Sequence, residues 1–436
     1  MHQLRTPQVP FFYGWVVVAV CFLLGFLGTG FYSYARGIFL PSLAEALSDG
    51  NRMYISMGFS FAAITMAILA PWLGNYLDRG SPRKVILIGI CVVAVSYVLL
   101  GAVQTLWQFY FIVCIGMGVG MTLMGGLPWH RSVIFWFDHW RGRAIAFAVM
   151  GASVAGIMMP PLVTLLVDAY GWRSGYNMFS ISTFILLFPL VYFLMRDRPE
   201  EVGEIRDGHS YESKEPTPDA VTEQDSRVWT WQEMLKSPAF WSIGLIFGSM
   251  TCVFAAVMLH LYPHILDLGF TTLEASYVLS SAAVFAALGK PVVGWLSDFI
   301  GARKTIWLAL ACQAAALLVF ANFGTLAASF AAACLYGFGY SGMSPLRTFA
   351  ISTSISSASF ALANGVLRWV ELPFILAASP FAGYVYDVTG SYAQAFTVLA
   401  GLLGVATIGP LFIRVGGAWE RREIAQAAQS GTGRNQ

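Results

Sequence analysis

The charged residues of this chain are gathered into short clusters, and the stretches between them stay apolar for about twenty residues at a time. A stretch of that length crosses the hydrocarbon core of a bilayer as one helix. Only 11% of the 436 residues are charged and 57% are hydrophobic, whereas soluble domains carry about a quarter charged residues. The pattern therefore predicts a multi-pass membrane protein.

The apolar stretches number twelve, and each is continuous rather than alternating. Lipid accepts only helices and closed β-barrels as spanning elements, and barrel strands alternate, so we expect an all-α membrane protein with twelve transmembrane helices. The expected spans are 14–36, 54–77, 84–104, 107–135, 144–168, 174–195, 239–262, 275–297, 304–323, 325–346, 361–386 and 391–413.

The distribution of Lys and Arg over the loops predicts the orientation. Arg36, Arg52 and Arg173 lie on one side, Lys290 and Arg368 lie within spans, and the remaining 20 of the 25 lie on the side that holds both termini. The positive-inside rule places that side in the cytoplasm. With no signal-peptide or transit pattern, a plasma or bacterial inner membrane is expected.

Several classes of protein are excluded. The net charge of +2 and the lack of a basic run argue against nucleic acid. No phosphate-binding loop appears, and no Ser-His-Asp set, metal-ligand cluster or carboxylate pair converges, so we expect neither an enzyme nor a cofactor. The six cysteines fall inside spans without paired spacing, which predicts neither a disulfide nor a metal site.

A polar segment, residues 197–238, follows the sixth span. Its Pro, Glu, Asp and Ser content cannot bury a core, so we expect a cytoplasmic linker between two six-helix bundles, 1–196 and 239–436, the second with a cytoplasmic tail. The last part, WTWQEMLKSPAFW, is expected to form a short helix at the membrane interface.

One motif occurs in both halves, as GNYLDRGSPRK at 74–84 and GWLSDFIGARK at 294–304, each between the second and third span of its half. The offset is 220 residues, so a duplicated unit and two pseudo-symmetric bundles are expected. The coinciding pairs are Gly74 and Gly294, Asp78 and Asp298, Arg83 and Arg303, and Lys84 and Lys304.

Two interpretations of this motif remain. Glycine would let the helix end approach a neighbour, aspartate would accept from N–H groups at a facing helix start, and the basic pair would anchor at the headgroups, which together would form a cytoplasmic latch. Alternatively, the basic pair only sets the topology. That alternative does not explain a glycine and an aspartate at fixed spacing, so the latch is favoured.

The second copy resembles the signature G-x-L-x-D-x-x-G-R-[RK] of the major facilitator superfamily. The first copy is looser, with Tyr76 at the leucine position and the glycine one residue early at Gly80. The resemblance implies the major facilitator fold and transport by alternating access. The matching residues are Gly294, Leu296, Asp298, Gly301, Arg303 and Lys304.

Longer segments are similar to the branch of monocarboxylate porters and oxalate/formate antiporters. They are FYGWVVVAVCFLLGF in span one, FDHWRGRAIAFAVMGASVAGIMMPPL into span five, HLYPHILDLGFT after span seven and SPFAGYVYDVTGSY between spans eleven and twelve. The resemblance implies a small organic anion as substrate.

Lys290 lies inside span eight, in AALGKPVVGW. A charge near mid-helix costs about 2.5–3.5 kcal/mol, so it should face the bundle interior or water. Pro291 and Gly289 predict a locally broken helix that lines a cavity. The alternative is that the lysine snorkels to the headgroups.

Span eleven carries Arg368 and Glu371 three residues apart, on one helix face. Glu371 is expected to neutralise the arginine. In one interpretation the two form a fixed ion pair that makes insertion tolerable. In the other, the arginine binds a substrate carboxylate and the glutamate carries a proton.

The resemblance brings Lys290 and Arg368 to one central cavity, where two cations suit an organic anion. Lys290 matches an arginine of the mammalian monocarboxylate carriers, but their aspartate four residues earlier is Ala286 here. The proton would then pass through Glu371 or through His260 in span seven. His260 is also a candidate substrate ligand, although a lone intramembrane histidine is often a packing residue.

Further candidates lie around this site. Arg36 approximately matches a substrate-binding lysine of those carriers, or else anchors span one at the interface. Tyr34 and Trp369, with Tyr32 and Tyr262, could shape the apolar side of a pocket. His130 and Arg131, low in span four, are weaker candidates.

We therefore expect a secondary transporter, functional as a monomer, that moves a small organic anion, in particular a monocarboxylate, together with H+. The alternatives are an exporter of amphipathic drug-like compounds and a carboxylate sensor that does not transport.

Overall fold

In the computed structural model the described residues are 12–78, 80–208, 229–355 and 359–413, apart from the side chain of residue 361. They are helical with no strand among them. The helices of the first half are α1 Gly14–Tyr34, α2 Arg36–Leu47, α3 Arg52–Leu77, α4 Pro82–Gly101, α5 Leu106–Trp136, α6 141–170 and α7 172–194. Those of the second half are α8 Trp231–Lys236, α9 Pro238–Asp267, α10 Thr272–Ile300, α11 Ala302–Asn322, α12 Leu326–Ser341, α13 Met343–Ser354, α14 Phe360–Thr389 and α15 Ala393–Ala406.

Polar side chains fix where many of these helices begin. Each accepts a hydrogen bond from a backbone N–H in the first turn and so satisfies a donor that has no partner within the helix. These N-cap residues are Asn51, Ser81, Thr105, Thr230, Thr271 and Thr325.

Ten helical segments of the described chain are long and apolar enough to cross a membrane. One of them, Arg141–Leu194, has 54 residues, and Gly171 leaves helical geometry inside it with φ +76°. At about 1.5 Å per residue it is far longer than one crossing needs, so it forms two spans, α6 and α7. The tenth span is assembled from α12 and α13, which meet at Gly342. These assignments agree with the expected twelve.

The chain divides into two compact units, 1–217 and 218–436. The core of the first unit is aromatic, with Phe31 stacked on Phe179 at 4.0 Å and Phe39 on Tyr176 at 4.3 Å between ring centroids. At Gly151 a Cβ would lie 2.0 Å from the carbonyl oxygen of Phe22, so α1 and α6 touch backbone to backbone. Such close approach needs small residues.

Small residues also set the packing of the second unit. A Cβ at Gly337 on α12 would lie 2.1 Å from the carbonyl oxygen of Ala282 on α10. About one helical turn after Gly337, Ser341 of α12 lies against Gly289 of α10. These two contacts hold α10 against the tenth span, which fixes the neighbourhood of Lys290.

The first part of the predicted linker, after α7, is attached to the first unit. Residues 197–208 dock on the first unit through three carboxylates. Asp197 accepts from the hydroxyl of Ser81 and, at 2.8 Å, from the backbone N–H of Arg83. Glu204 accepts from the backbone N–H of Tyr13 at 3.0 Å.

Asp207 is the third docking carboxylate. It accepts from the backbone N–H groups of Asp138 at 3.0 Å and His139 at 2.8 Å. The docking was not expected from the composition, because carboxylates that cannot build a core still satisfy free N–H groups at helix ends. The assignment of 197–238 as a linker stays a prediction. Residues 209–228 lie outside the described residues.

The short helix before the seventh span is confirmed as α8. Thr230 and Glu233 form a capping box, in which each side chain accepts from the other residue's backbone N–H. Met234 is fully buried, whereas Trp231 is half exposed. The six cysteines are free thiols.

Candidate functional site

A cluster of three charged residues lies inside the second unit, where α13 meets α14. Nη1 of Arg347 donates to Oε2 of Glu371 at 3.0 Å and lies 2.8 Å from Oε1. The carboxylate is fully buried, and only 8% of the arginine side chain is exposed. The two form a buried ion pair, in which each charge offsets the cost of removing the other from water.

Arg368 is the third member of this cluster. Its Nη1 lies 3.9 Å from Oε2 of Glu371, at the outer limit of an ion pair, and 63% of its side chain is exposed. Glu371 therefore faces two arginines, and its tighter partner is Arg347. The expectation that Glu371 neutralises Arg368 was incomplete, because the principal partner comes from another helix. The cluster retains a net charge of about +1 while all three groups are ionised.

Sequence reasoning missed Arg347 because it ended the tenth span at residue 346 and left the arginine in a cytoplasmic loop. A signal was present. The sequence G-x-x-P begins at Gly125 in the fourth span and again at Gly342 in the tenth, 217 residues later. In both copies a basic residue stands two positions after the proline, His130 in one and Arg347 in the other. Extending the internal repeat to these spans would have shown that the tenth continues.

Lys290 lies on α10 and is partly buried. The predicted helix break at Pro291 is wrong, because α10 runs without interruption from Thr272 to Ile300. A Cβ at residue 289 would lie 2.4 Å from the hydroxyl oxygen of Ser341, so Gly289 leaves room for that side chain. Proline and glycine here accommodate a neighbouring helix. That Lys290 and Arg368 share one cavity stays a prediction.

His260 on α9 is fully buried with both ring nitrogens hydrogen bonded. Nε2 lies 2.8 Å from the carbonyl oxygen of Ser379, and Nδ1 lies 3.1 Å from the hydroxyl of Tyr392. Because a carbonyl only accepts, Nε2 carries a proton, and Nδ1 shares a hydrogen bond with the tyrosine hydroxyl. A fully buried histidine with both ring nitrogens engaged fits a packing residue, and this geometry favours that interpretation over substrate binding or proton transfer.

Arg36, the first residue of α2, lines an aromatic cavity in the first unit. Its guanidinium carbon lies 4.7 Å from the ring centre of Tyr32 and 5.7 Å from that of Phe59. Its Nε and the hydroxyl of Tyr97 are buried without a hydrogen-bond partner among the described residues. The cavity volume is about 10 Å³, close to the room that one water molecule needs. The cavity is therefore narrow and mostly aromatic, with Arg36 as the charged residue of its lining.

The other predicted pocket residues are scattered. Tyr34 ends the π-helical half of α1 and is partly buried, and Tyr262 is almost fully buried on α9. Trp369, next to Arg368 on α14, is 52% exposed. Their roles as substrate contacts stay predictions.

The repeated loop motif makes contacts other than those expected. Asp78 pairs with the side chain of Arg131 on α5 at 3.0 Å, and not with a helix start. No described heavy atom lies within 4 Å of a Cβ built at Gly74 or Gly294, so close helix approach does not explain these glycines. Asp298 is exposed.

The two motif arginines have the same role in their own halves. Arg83 donates from Nη2 to the carbonyl of Tyr192, near the end of α7. Arg303 donates from Nη2 to the carbonyl of Ile413 at 2.6 Å, just after the last helical turn of the twelfth span. Each arginine thus joins the start of the third span to the end of the sixth, where carbonyls lack helical partners. Lys84 and Lys304 are exposed.

Comparison with known proteins agrees with this architecture. The family model described as Major Facilitator Superfamily matches residues 22–368 and 257–430. The chain is 24% identical over 409 residues to the MFS-type transporter YcxA of Bacillus subtilis (strain 168), covering 90% of this chain and 93% of that protein. It is 23% identical to monocarboxylate transporter 13 of Rattus norvegicus, covering 92% and 89%.

Solved structures show the same fold. The inward-facing, occupied structure of a bacterial homologue of the human lysosomal transporter Spinster has a TM-score of 0.70 at 15% identity, covering 92% of this chain and 97% of that one. A point mutant of the nucleoside transporter NupG also has a TM-score of 0.70, at 14% identity, covering 92% and 99%. The chain therefore belongs to the Major Facilitator Superfamily and is a multi-pass membrane transporter.

Proposed function

We propose that this transporter moves a small organic anion, in particular a monocarboxylate, by alternating access and together with a proton. The observation that carries the proposal is the cluster in which two arginines face one buried carboxylate. Charges inside a membrane protein are costly and mark substrate or ion pathways. A cluster with one uncompensated positive charge favours an anionic ligand.

Arg368 is the member of the cluster best placed to receive the anion. It is the most exposed of the three and the more distant from Glu371. A carboxylate that binds this guanidinium gains charge-assisted hydrogen bonds while giving up little of the existing ion pair. Lys290, in the same unit and partly buried, supplies a second cation in the proposed site.

Coupling to a proton follows from competition for the same arginines. Both arginines face Glu371, and their positive charges offset the charge of its carboxylate. When a substrate carboxylate engages Arg368, Glu371 loses part of that stabilisation, and taking up a proton becomes less costly. Anion and proton would then cross together, with Glu371 as the carrier. His260 is the less favoured carrier because both of its ring nitrogens are already hydrogen bonded.

Similarity to the monocarboxylate transporters supports the substrate class. The loop charges support an orientation with both termini in the cytoplasm, and a cell membrane is the proposed location. The monomer, with its two six-helix bundles, is the proposed functional unit.

The test is thermal stabilisation of the detergent-purified protein by acetate, lactate, pyruvate and oxalate, beside cationic and neutral amphipathic compounds. Stabilisation at about 100 times the dissociation constant corresponds to about 2.7 kcal/mol. We expect a response to one carboxylate class, followed by uptake of that compound into proteoliposomes. Response only to bulky amphipaths would replace the proposal with drug export. Binding of a carboxylate without uptake would indicate a sensor.

A further inference from the structure

Arg347 uses only one end of its guanidinium on Glu371. Its Nη1 makes the ion pair, whereas Nε and Nη2 are buried and have no hydrogen-bond partner among the described residues. Buried donors without acceptors cost free energy, and the cost is larger for a charged group. An arginine that is more than nine-tenths buried and leaves two donors unused is therefore unexpected as a purely structural residue.

The two unused donors form one edge of the guanidinium plane. Nε–H and one N–H of Nη2 point in parallel from that edge, at the spacing of the two oxygens of a carboxylate. Glu371 restrains the plane from its other end. The neighbouring Leu346 is almost completely buried, which fixes the backbone of α13. The edge is therefore held in one orientation.

We propose that the Nε–Nη2 edge of Arg347 is a carboxylate-binding site, with the planar carboxylate group of the substrate as its bidentate ligand. The inference rests on the proposed transport of an organic anion and adds Arg347 to the residues that bind this anion. Glu371 positions Arg347, and the exposed Arg368 gives the second positive charge of the site. A planar carboxylate fills both donors at once, whereas a spherical anion such as chloride fills them poorly. The site selects for carboxylates on that basis.

The test is the substitution Arg347→Lys, with binding of lactate and of oxalate measured by isothermal titration on the full-length purified protein. Lysine keeps the positive charge that faces Glu371 but lacks the two parallel donors that Nε and Nη2 of arginine provide. We expect the dissociation constant to rise roughly tenfold to hundredfold, with little change in the melting temperature of the ligand-free protein. The matched control is Arg173→Lys. Arg173 lies in the first unit, where it donates to the carbonyl of Val103. This variant should bind the acids as the wild type does.

The outcomes separate the two proposals. Wild-type affinity in Arg347→Lys would overturn the site on Arg347 and leave anion transport standing. No binding of either acid by the wild type, and no stabilisation by the wider carboxylate panel, would overturn both.

If Arg347→Lys does not fold, Arg347→Gln is introduced into Glu371→Gln, where no buried charge remains unpaired. A rise in the dissociation constant relative to Glu371→Gln alone supports the site, and an unchanged constant overturns it.

Discussion

Arg347 and Glu371 form a buried ion pair across two helices, with Nη1 3.0 Å from Oε2 although 24 residues separate them in sequence. Removing one partner of such a pair leaves an uncompensated buried charge and costs about 3–5 kcal/mol. We therefore expect Glu371→Ala to lower the melting temperature of the purified protein markedly. Glu45→Ala, at an exposed carboxylate, serves as the control and should change it little. Equal melting temperatures in both variants would show that the pair contributes nothing to stability.

Glu371→Gln tests proton coupling without removing the hydrogen-bond acceptor. The amide oxygen still accepts from Arg347, but the side chain no longer exchanges a proton. We expect proteoliposomes with this variant to lose substrate-driven alkalinisation of the outer medium, while exchange of labelled for unlabelled anion continues. Proton flux at the wild-type rate would contradict the assignment. His260→Asn would then be the next variant to measure.

Lys290→Gln and Arg368→Gln test the two proposed cations of the binding site. Losing a charge-assisted hydrogen bond costs about 1.5–3 kcal/mol, so each variant should bind the substrate roughly tenfold or more weakly. Folding of Arg368→Gln should change less than its affinity, because Arg368 is largely exposed. Lys236→Gln, on α8, is the control with wild-type affinity. Unchanged affinity in both test variants would exclude these two cations.

Asp78→Asn tests the cytoplasmic latch. Its partner Arg131 is 32% exposed and Asp78 itself 65%, so the pair should contribute no more than about 1 kcal/mol to stability. If it acts as a latch, the variant changes the ratio of inward to outward accessibility, read by labelling of introduced cysteines at each face. Arg131→Gln should produce the same change. If labelling is identical to wild type in both, the pair is only a surface contact.

The sequence predicted the fold well because hydropathy alone specifies which segments cross the membrane. It located Glu371 and Arg368, since a charge inside an apolar run is visible without a structure. It missed Arg347 because the expected tenth span ended at residue 346, directly before this charge, whereas α13 continues to Ser354. It also misread Pro291, because proline is tolerated where a helix is supported by its neighbours.

Contacts between distant side chains and backbone could not be predicted from one sequence. From the sequence, Arg83 and Arg303 were predicted to be headgroup anchors. In the structure each donates to a carbonyl at the end of another span, and nothing in the motif indicates that this carbonyl lies within reach. Likewise, a glycine that admits a neighbouring backbone, such as Gly337, looks the same in sequence as Gly401, which faces open space. Only the packing distinguishes them.

That difference gives a matched pair of substitutions. In Gly337→Ala the new Cβ would lie 2.1 Å from the carbonyl oxygen of Ala282, so α10 and α12 must separate. Overpacking of this kind costs about 1–3 kcal/mol. In Gly401→Ala the Cβ meets nothing within 4 Å, and alanine is up to about 1 kcal/mol more favourable than glycine in a helix.

We therefore expect Gly337→Ala to lower the melting temperature and Gly401→Ala to leave it unchanged or raise it. Because Gly337 and Gly289 both join α10 to the tenth span, the first variant should also weaken anion binding by shifting Lys290 relative to Arg347. Substrate titration of the two variants measures this second effect. A Gly337→Ala protein that melts and binds like wild type would show that the two helices do not need this backbone contact.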